Sequence, residues 1–255
     1  MSTVRIETAG PLTTLRLDKA RGNAIDEALV RDLLQACRTV ADDDSCRGVL
    51  LASAHPKLFS PGLDLVSLLE YDRPAMEWFM RLFAEMVWTL YGLPKPVVAG
   101  LSGHAVAGGC IVALTADYRV LRRGGVQVGL NEVKIGVPLP WSVALLLRET
   151  VPASSRTAVA LLGRNFADDE AREAGLVDQL ADADGFEDFC RARLEEFLDK
   201  DPTAVAVTKG YLRAAALQEM KAREAEEVTV WLDRWFAPRT RERLLGIVAS
   251  LARKS

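Results

Sequence analysis

The chain has 255 residues, 32 Lys+Arg against 35 Asp+Glu for a net charge of −3, and 49% hydrophobic residues. That length can bury a core without staples and suits one large α/β domain better than two. The interspersed charge gives no basic footprint for nucleic acid, no apolar run is long enough to span a membrane, and the first twenty residues lack the apolar core of a secretion signal.

Val4, Ile6 and Thr8 alternate with polar neighbours, Ala9-Gly10-Pro11 turns, and Thr13, Leu15 and Leu17 alternate again, which predicts a hairpin. Asp26 is placed to cap a helix in which Leu29, Val30, Leu33, Leu34, Cys37 and Val40 recur at helical spacing. Residues 48–53 read as a strand buried on both faces. A loop over 55–62 and a short helix follow. Asp72 and Pro74 then open a long helix carrying Trp78, Phe79, Leu82, Phe83, Met86 and Leu90. Next come a strand at 97–99, a helix at 107–115, strands at 118–121 and 126–130, and a helix at 139–147. Beyond about residue 152 the pattern is helical except at 176–180. Strands alternating with helices predict an α/β fold with much parallel pairing. The best partition is a core over 1–200 and a helical region over 201–255.

Three segments offer chemistry. F-S-P-G-L-D-L at 59–65 is a Pro-Gly turn running into a helix, where bare N–H groups near Gly62 and Leu63 can donate to an anion; its plainer reading is an ordinary strand–turn–helix connection. S-G-H-A-V-A-G-G-C at 102–110 places Gly108 and Gly109 at the start of an apolar helix, with the same donors, or simply with close helix–strand packing. It lacks the G-x-G-x-x-G spacing of a dinucleotide site. In G-L-N-E-V-K-I-G at 129–136, Glu132 is a lone carboxylate among apolar residues. If buried it would have a raised pKa and could act as a general base; otherwise it is a loop or cap residue.

The four cysteines are scattered with no C-x-x-C pair, and the histidines are only His55 and His104. This argues against disulfides and structural zinc and points to a reducing, cytoplasmic location. His104 reads as a core or loop residue. Trp231, Trp235 and Phe236, at helical spacing, read as core or subunit interface.

In order and spacing the three segments resemble the crotonase family, the enoyl-CoA hydratase/isomerase superfamily, from about residue 4 to 215. R-G-N-A-I-D at 21–26 is similar to its early CoA-contacting loop, the next two segments to its two oxyanion motifs, and A-R-E-A-G-L-V-D at 171–178 to its later helix-to-strand signature. The resemblance implies a spiral of repeated ββα units with C-terminal helices used in trimerisation. It implies a homotrimer or dimer of trimers. The ligand it implies is an acyl-CoA thioester, with coenzyme A part of the substrate and neither a separate cofactor nor a metal. The thioester oxygen would sit between the Leu63 and Gly108 amides. Arg21, Asn23, Ala24, Pro61, Gly62, Asp64, Leu65 and Asn131 would contact substrate or CoA, Asn131 orienting the substrate or the glutamate. Hydratases of the family carry two glutamates; here Ile111 stands at the first position and Glu132 at the second. One carboxylate suits a Δ3,Δ2-enoyl-CoA isomerase of fatty-acid degradation, and Trp141 matches a tryptophan of that branch. Other crotonase-type reactions, hydration and thioester hydrolysis among them, and non-catalytic acyl-CoA binding are the rivals. Residues 66–90 and the helical tail are expected to wall the acyl pocket.

Overall fold

Alternating side chains place the first two strands side by side, as predicted. β1 (Val4–Ala9) and β2 (Leu12–Leu17) pair antiparallel across Gly10, whose φ of +58° suits the tight turn. The structure is a computed structural model and describes residues 2–253. A distorted turn, α1 (Ala20–Asn23), leads into α2 (Glu27–Asp42), capped by Asp26, whose carboxylate accepts from Leu29 N at 3.0 Å. Then come β3 (Gly48–Ser53), buried throughout, β4 (Leu58–Ser60), α3 (Leu65–Leu68) and α4 (Arg73–Tyr91), capped by Asp72 as expected. The middle of the chain runs β5 (Val97–Leu101), β6 (His104–Val106), α5 (Gly108–Leu114), β7 (Tyr118–Arg122), β8 (Gln127–Gly129), α6 (Glu132–Ile135) and α7 (Trp141–Thr150). The last part holds α8 (Ala153–Arg156), a π-helical turn at Thr157–Leu161, β9 (Asn165–Ala167), α9 (Asp168–Glu173), β10 (Gln179–Ala181), α10 (Phe186–Glu195), α11 (Pro202–Trp235) and α12 (Pro238–Ala252).

Two sheets result. The larger runs β1-β2-β3-β5-β7-β10 and is parallel from β2 onward; the smaller runs β4-β6-β8-β9 and is parallel except at β8–β9. Each pair β3/β4, β5/β6 and β7/β8 gives its first strand to the larger sheet and its second to the smaller. This is an α/β spiral of strand–strand–helix units, the fold class expected. The small sheet corrects three sequence assignments. β4 lies inside the expected loop at 55–62, β6 precedes the helix expected from 107, and β9 interrupts a stretch read as helical. Each has three residues, too few to display a period of two.

The C-terminal helices pack back onto the spiral. α11 lies against α4 and α7. It is tied near its start by Lys209, whose Nζ donates to Asp117 at 2.7 Å and Lys95 O at 2.8 Å, and by Arg213, which donates to Asp117 at 2.7 Å. Asp117 also accepts from Val97 N, so the ionic group joins α11 to the central sheet. Burial lowers the Lys209 pKa to about 8. Farther along, Ala216, Met220, Glu224, Val228, Trp231 and Trp235 form one buried stripe. Trp231 and Trp235 stack at 5.1 Å and are buried within their own chain. Of the two readings of their spacing, core or subunit interface, these two tryptophans take the first: they continue the stripe that faces the core. All four cysteines are buried and unpaired. Among the described residues, no helix is long and apolar enough to cross a membrane.

Candidate active site

Nearly all the residues singled out in the sequence meet at one cavity of about 760 Å³. Arg21, Ala24, Pro61, Leu63, Asp64, Leu65, Gly108, Ile111, Asn131 and Glu132 all line it.

The two candidate donors are set by their neighbours. Ile25 N donates to Gly62 O and Asp64 N to Ile25 O, each at 2.8 Å, while Ala107 N donates to Gly129 O at 2.8 Å. Among the described residues, the Leu63 and Gly108 amides that lie between these have no acceptor. They therefore retain the capacity to bind a ligand oxygen. The glycines explain how two loops come this close. Gly62 has φ +96°, and a Cβ there would lie 2.9 Å from Ala107 Cβ and 3.0 Å from Gly108 N. A Cβ on Gly109 would lie 2.2 Å from Ser60 O. Close packing and exposed amides, rivals at the level of sequence, are one arrangement here. Ala107, just ahead of α5, adopts φ +48°, an unusual value for a residue with a side chain.

Glu132 opens α6 and is buried, with neither carboxyl oxygen hydrogen-bonded among the described residues. Desolvation raises its pKa from 4.5 to about 7. A carboxyl with that value exchanges protons readily near neutral pH. Asn131 precedes it on the cavity wall, and its side chain makes no capping bond. Ile111, in the first turn of α5, lines the wall and is almost fully buried.

Other expected residues sit elsewhere. Asn23 is fully buried and off the wall; its Nδ2 donates to Ser53 Oγ and Phe59 O, and its Oδ1 accepts from Lys19 N. It holds the loop on which Arg21 and Ala24 reach the cavity. Gly62 shapes the wall without lining it. Arg21 is exposed at the rim, 3.8 Å from the Asp64 carboxylate, which also lies 3.7 Å from Lys19. His104 accepts from Gln127 N at 2.9 Å, a structural role. Trp141 lies off the cavity, donating to Glu219 O at 3.4 Å beneath the Arg223 guanidinium.

The far wall was only broadly expected. Met80 and Phe83 of α4, Trp231 and Trp235 of α11, and Ile247 and Val248 of α12 supply it. The tryptophans gave a signal that read equally as core; α12 fell within the helical tail expected to wall the pocket, with none of its residues singled out. Among the described residues, no group of three or more His, Cys, Asp or Glu side chains is arranged to hold a metal.

The enoyl-CoA hydratase/isomerase family model matches residues 7–234. Human mitochondrial enoyl-CoA delta isomerase 1 is 27% identical over 207 residues, covering 81% of this chain and 68% of the relative. Carnitinyl-CoA dehydratase of Salmonella enteritidis is 28% identical over 207 residues, covering 81% and 78%. Among solved structures, human mitochondrial Δ3-Δ2-enoyl-CoA isomerase superposes with a TM-score of 0.94 at 24% identity, covering 99% of both chains. An enoyl-CoA hydratase from Bacillus halodurans superposes at 0.88 and 23%, covering 96% and 100%. The chain belongs to the enoyl-CoA hydratase/isomerase (crotonase) family.

Proposed function

We propose that this family member is an enoyl-CoA isomerase that moves the double bond of a 3-enoyl-CoA to give the conjugated 2-enoyl-CoA, with Glu132 as its single acid–base group. The observation that carries this reading is the buried Glu132 carboxyl, unpaired among the described residues, on the cavity wall, with apolar Ile111 at the position where the family's hydratases carry another carboxylate; the other buried carboxyl there, Asp64, lies 3.7 Å from Lys19 and 3.8 Å from Arg21. Glu132 takes a proton from C2. Negative charge then spreads onto the thioester oxygen, which accepts from Leu63 N and Gly108 N. Each such donor is worth about 3 kcal/mol in a preorganised site. The protonated Glu132 returns its proton to C4, which leaves the double bond between C2 and C3. The same carboxyl serves both steps, so no net proton is consumed. Arg21 at the rim and the buried Asp64, with Ala24, Pro61 and Leu65, are the proposed contacts to CoA, and Asn131 the proposed orienting group.

The relatives pull in two directions, isomerase and dehydratase, at nearly equal identity. A lone unpaired carboxyl on the wall, Glu132, with apolar Ile111 rather than a second glutamate, favours the isomerase. Hydration needs a water fixed over C3 with groups to accept and return its protons, and Ile111 offers none. The test is to incubate the protein with 3-enoyl-CoA thioesters of several chain lengths and follow the conjugated thioester chromophore. Conversion that Glu132→Gln abolishes supports the reading. Hydration of the matched 2-enoyl-CoA with no isomerisation overturns it.

A further inference from the structure

Two one-turn helices carry the proposed chemistry at their near ends. α3 starts just after Leu63 and ends in Leu69; α6 starts with Glu132 and ends in Gly136. Four residues cannot hold a helical turn in place by their own hydrogen bonds. Both far ends are instead held by the first turn of α12. Arg241 Nη2 donates to Leu69 O at 2.9 Å, and Thr240 Oγ1 donates to Gly136 O at 3.3 Å. The second bond is long, but the contact is also one of packing: Thr240 is buried, and a Cβ on Gly136 would lie 3.0 Å from its hydroxyl. Pro238 starts α12, and the Arg241 guanidinium lies 5.7 Å from the Phe236 ring centroid at the corner with α11. Two adjacent side chains thus bridge the helix behind the oxyanion donor and the helix behind the base. Two turns later, Ile247 and Val248 of the same helix line the cavity.

We propose that Thr240 and Arg241 are positioning residues, and that α12 is a brace fixing the Leu63 amide and the Glu132 carboxyl relative to each other. What that alignment achieves rests on the isomerase reading; the brace itself is a property of the chain. Reacting groups displaced by about 1 Å can lose about a hundredfold in rate, so a brace this close to both groups has leverage. It also links alignment to the acyl tail. A tail that packs on Ile247 and Val248 holds α12 against both short helices, so binding far from C2 contributes to the rate at C2.

Four variants test this: Thr240→Val, Thr240→Ser, Arg241→Met and Arg241→Lys. The first readout is amide hydrogen exchange, without substrate. In Thr240→Val and Arg241→Met, exchange over residues 65–69 and 132–136 should be at least about tenfold faster, with the six-stranded sheet unchanged. Wild-type protection there overturns the brace. The second readout is isomerisation kinetics. We expect kcat to fall about tenfold or more in both variants, with KM within about threefold, and Thr240→Ser and Arg241→Lys to recover most of the loss. A kcat within twofold of wild type, or a loss that the conservative variants share in full, overturns the proposal. Should Arg241→Met fail to fold, the near-isosteric Thr240 pair decides. A wild type that does not isomerise removes the proposed function but leaves the exchange measurement, and so the brace, decidable.

Discussion

Glu132 is buried without a hydrogen-bond partner among the described residues, so its ionisation should oppose folding. In the unfolded chain this carboxyl loses its proton near 4.5; in the folded chain burial holds the proton until about pH 7. Between those values the folded state binds more protons than the unfolded state, so stability falls as pH rises. A tenfold change in proton affinity is worth about 1.4 kcal/mol, which makes the whole loss about 3 kcal/mol, nearly complete by pH 8 and small at pH 5. Glu132→Gln removes the titration. It should therefore gain about 2 to 3 kcal/mol over wild type on going from pH 5 to pH 8. For a chain of this size that is a relative shift in Tm of roughly 4–12 °C. Comparing the difference between the two pH values cancels any fixed penalty for burying the Gln amide. Calorimetry or reversible denaturant unfolding of both proteins at both pH values is the assay. An advantage equal at pH 5 and pH 8 would falsify the raised pKa, and with it the physical case for Glu132 as a base near neutrality.

Much of the site was legible because its signals are local. Asp26 and Asp72 cap the helices they were expected to cap, since a cap needs only three residues of chain. Glu132 stood out as a charge in an apolar segment, and its burial follows from that segment's place behind β8. What stayed hidden depends on contacts between distant parts of the chain. β4, β6 and β9 exist only because each finds a neighbour in the small sheet. Asn23 looked like a ligand contact, yet its bonds reach thirty and thirty-six residues along the chain to Ser53 and Phe59. Trp231 and Trp235 read as core or subunit interface, and nothing in their neighbourhood decides between the two or reveals that α11 lies back along α4 and α7. The bridge from α12 joins residues 172 and 104 positions apart, and no local pattern carries it.

Protonation of Glu132 should switch the reaction off, so kcat/KM for a 3-enoyl-CoA should fall about tenfold per pH unit below about 7; a profile flat from pH 5 to 8 contradicts a Glu132 base. Gly109→Ala would drive a Cβ to 2.2 Å from Ser60 O and push apart the loops carrying the two donors. It should cost about 1–3 kcal/mol in denaturant unfolding as well as activity, and an unperturbed variant refutes the packing argument. With Trp231 and Trp235 buried, the proposed homotrimer or dimer of trimers must use other surface, and Val207, Tyr211 and Leu212 of α11 are exposed candidates. Light scattering that returns a monomer at micromolar concentration contradicts it. Last, wild-type hydration of a 2-enoyl-CoA should be at least about a hundredfold slower than isomerisation of the matched 3-enoyl-CoA, the low end of one acid–base group's contribution. Ile111 supplies neither a lone pair nor a proton, and its branched side chain occupies wall where an activated water would have to sit, while a dry wall protects the dienolate from side reaction. Ile111→Glu tests the converse: it should admit hydration, but a second carboxylate beside Glu132 would raise the pKa of the pair and shift isomerisation to higher pH, whereas comparable hydration and isomerisation by the wild type would mean that another acid or base reaches C3.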